Sequence, residues 1–120
     1  MRICFLHIIF LFTCAGLFAQ SNTDGLLADQ YFKNKEYDKA IVYYEKLSNK
    51  NPVQYYKNYL TSLIETKNYK EAEKLIKKLS KKDPNDPAYW VDLGSLYKVQ
   101  GQDAEAKKQF EKSIKQLSPS

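Results

Sequence analysis

The sequence predicts an all-α solenoid: three helix-turn-helix units, six antiparallel helices in all, following an N-terminal leader of different composition. The first observation behind this is the stretch Trp90-x-x-Leu93-Gly94-x-x-Tyr97 with Ala106 and Phe110 downstream. With Pro87 as the first position of a 34-residue unit, these residues occupy positions 4, 7, 8, 11, 20 and 24. Small residues then fall where two helices cross closely, and large ones beside them. The second observation is recurrence. From Val53 the same frame places Tyr56, Tyr59, Leu60, Leu63, Ala72, Ile76, Leu79 and Pro84 at positions 4, 7, 8, 11, 20, 24, 27 and 32. From Ser21 it places Leu27, Ala28, Tyr31, Ala40, Tyr44, Leu47 and Pro52 at 7, 8, 11, 20, 24, 27 and 32. This first unit is two residues short and carries Asp24 where a large apolar residue is usual. The third observation is the shortness of the turns Lys67-Asn68 and Gly101-Gln102, which forces neighbouring helices to run antiparallel.

The periodicity places helices near 23–34, 37–49, 53–66, 69–81, 87–100 and 103–117. Asp86-Pro87 reads as an N-cap followed by proline at the first helical position, where a missing N–H costs nothing. Asn51-Pro52-Val53-Gln54 reads as the same device with Gln54 returning a hydrogen bond, and Asn68 with Glu71 as a further capping box. Gly101 is the expected stop of the helix before it.

On these residues the chain resembles the tetratricopeptide repeat (TPR) family over units 21–52, 53–86 and 87–120, a repeat domain of 21–120. The resemblance implies a concave groove lined by first-helix positions 2, 5, 9, 12 and 13, which holds peptide segments of partner proteins. Carried over residue by residue, this gives Asp29, Phe32 and Lys33 from the first unit and Gln54, Lys57, Thr61, Ile64 and Glu65 from the second. The third supplies Ala88, Val91, Ser95, Lys98 and Val99. Apolar Ile64, Val91 and Val99 flanked by Lys57 and Lys98 suit an extended or helical peptide with a few apolar anchors and an acidic group. Gly25, Asp29, Ala88 and Asp92 stand where the carboxylate clamp of chaperone-tail adaptors in the family needs other residues. Only Asn58 fits that clamp, so a chaperone-tail adaptor is not expected.

Residues 1–19 have the anatomy of a secretory signal peptide: Arg2, an apolar run from Ile3 to Phe12, and Ala15-Gly16-Leu17-Phe18-Ala19 as small-residue cleavage context before Gln20. Cleavage after Ala19 is the expectation, with export to the periplasm or cell envelope. Two alternatives stay open: a lipoprotein anchored through Cys14, in Leu11-Phe12-Thr13-Cys14, and an uncleaved anchor, since the run from Ile3 to Ala19 sits at the lower edge of a membrane span. Cys4, Cys14, His7 and Arg2 all lie in this leader. The remainder therefore holds no Cys for a disulfide and no His or Cys for proton shuttling or nucleophilic attack. Asp and Glu are scattered rather than clustered as in a calcium loop, and Gly25, Gly94 and Gly101 form no phosphate cradle. No enzyme activity, metal or cofactor is expected.

Eighteen lysines against fourteen carboxylates leave a surplus of four positive charges after the leader. Lys70, Lys74, Lys77, Lys78 and Lys81 make one helical stripe, and Lys108, Lys112 and Lys115 another. They read as a solvated face eased by Glu73–Lys77 and Glu111–Lys115 pairs, in preference to a contact with anionic lipid or polysaccharide. Ten tyrosines read as packing residues rather than base-stacking platforms, because Tyr31, Tyr44, Tyr56, Tyr59 and Tyr97 take the repeat's own positions; no nucleic acid is expected. Tyr43 and Tyr55 fall outside those positions. Phe110, Ile114 and Leu117 lie on the side of the last helix that meets a further repeat, which points to self-association, another protein or additional repeats. The expected function is a scaffold that binds a partner segment in the groove. The alternative is the docking or sensory segment of a larger envelope enzyme or signalling receptor.

Overall fold

A computed structural model describes residues 22–118. Its helices are α1 (22–33), α2 (Tyr37–Lys50), α3 (Pro52–Glu65), α4 (Tyr69–Lys82), α5 (Ala88–Val99) and α6 (Asp103–Leu117), with no strand among the described residues. Each boundary falls within a residue or so of its expected place. Residues 1–19, on which the expected leader and Cys14 fall, lie outside the described residues.

Inside each repeat the first helix is closed by the same backbone device. Glu36 N–H donates to the Tyr31 carbonyl at 2.9 Å and Lys35 N–H to the Phe32 carbonyl at 3.0 Å. Asn68 to Leu63 (2.8 Å) with Lys67 to Ile64 (3.0 Å), and Gln102 to Tyr97 (2.9 Å) with Gly101 to Lys98 (3.0 Å), repeat the pair. This double closure satisfies carbonyls that the helix end leaves open, and it needs a left-handed residue in the turn. Gly101 supplies it at φ 75°, but Lys35 and Lys67 take φ 59° and 60°. A residue with a Cβ pays about 1–2 kcal/mol for that conformation. The two hydrogen bonds and the packing of the helix pair hold it there.

Two of the three expected capping devices take another form. Asp86 does cap: its Oδ1 accepts from Ala88 N–H at 2.9 Å, and Pro87 is already helical at φ −65°. Asn51 makes no side-chain cap bond, so the Gln54 box does not form. Asn68 turns away, its amide donating to Thr66 Oγ1 at 2.8 Å, while Glu71 pairs with Lys74 at 2.9 Å. The tight turn closed through Lys67 has already placed the local donors, leaving the asparagine to bond backwards.

Packing follows the sizes of the residues at positions 8 and 24. A Cβ added to Gly94 would lie 2.6 Å from Phe110 Cε1, so the ring rests directly on the α5 backbone. In the first unit the pair is Ala28 with Tyr44, both buried in one cluster. In the second it is Leu60 with the shorter Ile76. An aromatic ring on the second helix goes with glycine or alanine on the first, and the shorter isoleucine with leucine. Ala40, Ala72 and Ala106, all buried, keep the other side of each crossing thin.

The core forms two clusters. One gathers Ala28, Ala40, Tyr44 and Leu47, with Tyr31, Phe32, Tyr43, Tyr55 and Tyr59 packed around it. The other runs from Leu60, Leu63, Ala72, Leu75, Ile76 and Leu79 to Tyr89, Leu93 and Leu96. Tyr59 packs against both, and Ile41 of α2 reaches the second. Tyr43 and Tyr55, outside the repeat positions, belong to the first cluster. Tyr43 stacks on Tyr31 with centroids 5.7 Å apart, and Tyr55 lies 6.1 Å from Tyr44.

The size match at α5 and α6 gives a direct test. Gly94→Ala should lower the unfolding temperature even though alanine favours a helix interior by roughly 0.5–1 kcal/mol over glycine. Adding Phe110→Leu should make the alanine less harmful than it is in the wild-type background. A double-mutant cycle by thermal denaturation with no coupling between the two positions would refute the contact as the reason for glycine.

Candidate functional site

Three tyrosine hydroxyls hold the helices in register by donating to carboxylates. Tyr44 Oη donates to Asp29 Oδ1 (3.0 Å), joining α2 to α1. Tyr56 Oη donates to Asp92 Oδ2 (2.6 Å), joining α3 to α5 across 36 residues. Tyr97 Oη donates to Glu73 Oε1 (2.8 Å), joining α5 to α4. Burial is the main cause that pushes all three phenols above their ordinary range, and the neighbouring carboxylate adds to it. Each phenol therefore stays protonated and keeps donating. Glu73 is held below the usual carboxylate range, first by Lys77 and then by Tyr97. Spacing alone could not reveal these bonds: Tyr56–Asp92 and Tyr97–Glu73 depend on how consecutive repeats stack, and Tyr44–Asp29 on how the first unit's own helices face each other.

The Tyr56–Asp92 bond, with Tyr89 edge-on to Tyr56 at 5.5 Å, sets the first helices of the second and third units side by side. On α3, Gln54, Lys57 and Glu65 are exposed; on α5, Ala88, Val91, Ser95, Lys98 and Val99 are exposed. Spacings of three, eight and eleven on α3 and of three, four and seven on α5 put each set on one side of its helix. Val91 and Val99 keep 43% and 56% of their surface open, which is high for apolar side chains and leaves them available for contact. Lys98 Nζ lies 3.3 Å from Asp103 Oδ1 across the turn, an exposed pair that a competing acid can displace.

The other groove positions have internal duties. Thr61 Oγ1 donates to the Lys57 carbonyl at 2.9 Å, and Ile64 packs on the second core cluster. Asp29 accepts the Tyr44 bond, and Phe32 sits edge-on to Tyr37 (5.7 Å) and Tyr44 (6.4 Å). Lys33 alone of the first-unit set is exposed. The surface free to meet a partner thus belongs mainly to α3 and α5.

The second helices show a different surface. A shallow cleft of about 160 Å³ is lined by Ser48, Tyr59, Glu71, Lys74, Leu75 and Lys78. In the lysine stripes, Glu73 pairs with Lys77 as expected. Glu111 instead reaches Lys107, 4.0 Å away, and Lys115 is not its partner. Lys112 lies over the Trp90 ring, 3.4 Å from its centroid, so one of the stripe's charges is spent on packing. Among the described residues no group of three or more His, Cys, Asp or Glu side chains is arranged to hold a metal ion, and no helix is long and apolar enough to cross a membrane.

Stacked antiparallel helix pairs, a common crossing and a repeated turn define an α-helical repeat solenoid. Residues 31–93 and 63–117 match the family model described as tetratricopeptide repeat. The chain belongs to that family, whose repeats in general mediate protein–protein interaction. No curated protein matches it.

The raised phenols predict an alkaline limit. A group whose folded pKa lies above its unfolded value stabilises the fold fully below the unfolded pKa, about 10 for tyrosine. That stabilisation is lost as pH rises beyond it. Tyr56→Phe should cost about 1 kcal/mol at pH 7 and make the decline above pH 10 shallower than in wild type. Urea unfolding at pH 7, 9 and 10.5 checks both; parallel pH profiles would show that Tyr56 does not contribute to the limit.

Proposed function

We propose that the chain is an exported interaction module that captures a segment of a partner protein on the exposed face of α3 and α5. The observation that carries this reading is the pair of open valines, Val91 and Val99, on a helix pair that also exposes Lys57 and Lys98 and is fixed by the Tyr56–Asp92 bond. A surface held rigid before contact loses little entropy on binding. Its chemistry favours a peptide with small apolar anchors and a carboxylate, the anchors seated on the valines and the acid drawn to Lys57 or Lys98. Export is supported by the composition of residues 1–19, and it places that partner in the periplasm or envelope. A second reading, a docking segment for a larger envelope protein, is supported by the uncovered apolar residues of α6.

A photo-crosslinking amino acid at Val91 or Val99, in the host cell, should yield a discrete protein adduct that the same probe at the exposed Lys70 on α4 does not. Lys57→Glu with Lys98→Glu should weaken that adduct at unchanged helicity. Equal labelling from all three sites would overturn the groove assignment. Separately, the intact mass of the protein recovered from its host should correspond to residues 20–120. A mass that retains the leader, or carries a lipid lost in Cys14→Ser, would replace cleavage after Ala19 with anchorage.

A further inference from the structure

We propose that this chain associates head to tail with a second copy of itself, the open face of α6 on one copy receiving α1 of the next in the register that joins repeats within the chain. Internal contacts fix that register. Position 6 of a unit meets position 4 of the unit before it, as Asp92 meets Tyr56 at 2.6 Å. Position 28 lies under the following unit, and Ser48 and Ser80 there are buried. At internal junctions these positions are polar: Asn58 and Asp92 at 6, Ser48 and Ser80 at 28, Asn51 and Asp83 at 31.

The first and last described helices depart from this pattern in the same direction. Position 28 of the third unit is Ile114, 61% exposed, and position 31 is Leu117, 68% exposed. At the other end, position 6 of the first unit is Leu26, 67% exposed. Carried across to a second copy, Leu26 meets Trp90, which holds position 4 where Tyr56 does internally. An indole against a leucine replaces a phenol against a carboxylate, so the change on one end compensates the change on the other. Charge does not oppose the contact: α1 carries Asp24 and Asp29 against Lys33, and α6 carries four lysines against Asp103, Glu105 and Glu111, an excess of one charge each and of opposite sign.

A contact between unlike faces does not close on itself in a dimer, so species should grow stepwise with concentration. The test is sedimentation of the chain, expressed with its own leader and purified as the cell processes it. Wild type should form dimers and higher species. Leu26→Asp and Ile114→Asp should each weaken association by about tenfold or more. Both positions are exposed, so helicity should be unchanged. Mixed together, the two variants should give a one-to-one dimer and nothing larger, since each retains the face the other lacks. A wild-type protein that stays monomeric up to about 1 mM overturns the proposal. So does association abolished by Ile114→Asp and untouched by Leu26→Asp, which would mean a symmetric α6 pair. Groove capture and end-to-end contact use different faces, so crosslinking from Val91 is expected to survive in both variants.

Discussion

Where the two helices of a repeat cross, a small residue on one allows a bulky side chain on the other to rest against backbone, and the separation of the helices is set by that fit. Gly94 beneath Phe110 is the extreme form, with no space for even one more carbon. Ala28 with Tyr44 and Leu60 with Ile76 reach closure by other divisions of volume. Everything outside the crossing depends on it. The turns are short because the helices are close, and the tyrosine hydroxyls reach carboxylates on other helices because each pair presents its neighbours at a fixed distance.

The polar contacts have a different role. Buried apolar surface drives the helices together without choosing a register, whereas a phenol that must donate to a carboxylate accepts only one. Tyr56–Asp92 and Tyr97–Glu73 both run between units, and they align the second and third repeats at two heights. Their cost in desolvation is met because each hydroxyl finds an acceptor. The exposed ion pairs along α4 and α6 contribute far less, being screened by water and salt. They keep the outer wall soluble while the inner bonds position it.

The fold was legible because it rests on periodicity, and periodicity survives in a single sequence. Helix ends, short turns and the small residues at positions 8 and 20 all follow from spacing along one chain. The capping boxes at Asn51 and Asn68 misled: Asn51 makes no cap bond, and beside Asn68 the left-handed Lys67 decided the turn first, so that its amide bonds backwards to Thr66. Tyr55 had no place in a scheme of one repeat because its partner Tyr44 lies across a junction, whereas Tyr43 stacks on Tyr31 inside its own unit at a position the frame leaves blank. The inner face was readable only through family resemblance, and the structure divides that set by physical duty. Phe32, Ile64 and Asp29 face inward to partners of their own, while Val91 and Val99 stay open.

Tyr59 packs against both core clusters, and Ile41 of the first unit reaches into the second. A solenoid with clean borders between its units can lose them one at a time from either end. Here the border between the first and second units runs through the middle of a ring, so a crack opening at the N-terminal end meets no natural stopping place there. Units joined in this way melt together, and the short stack behaves mechanically as one body.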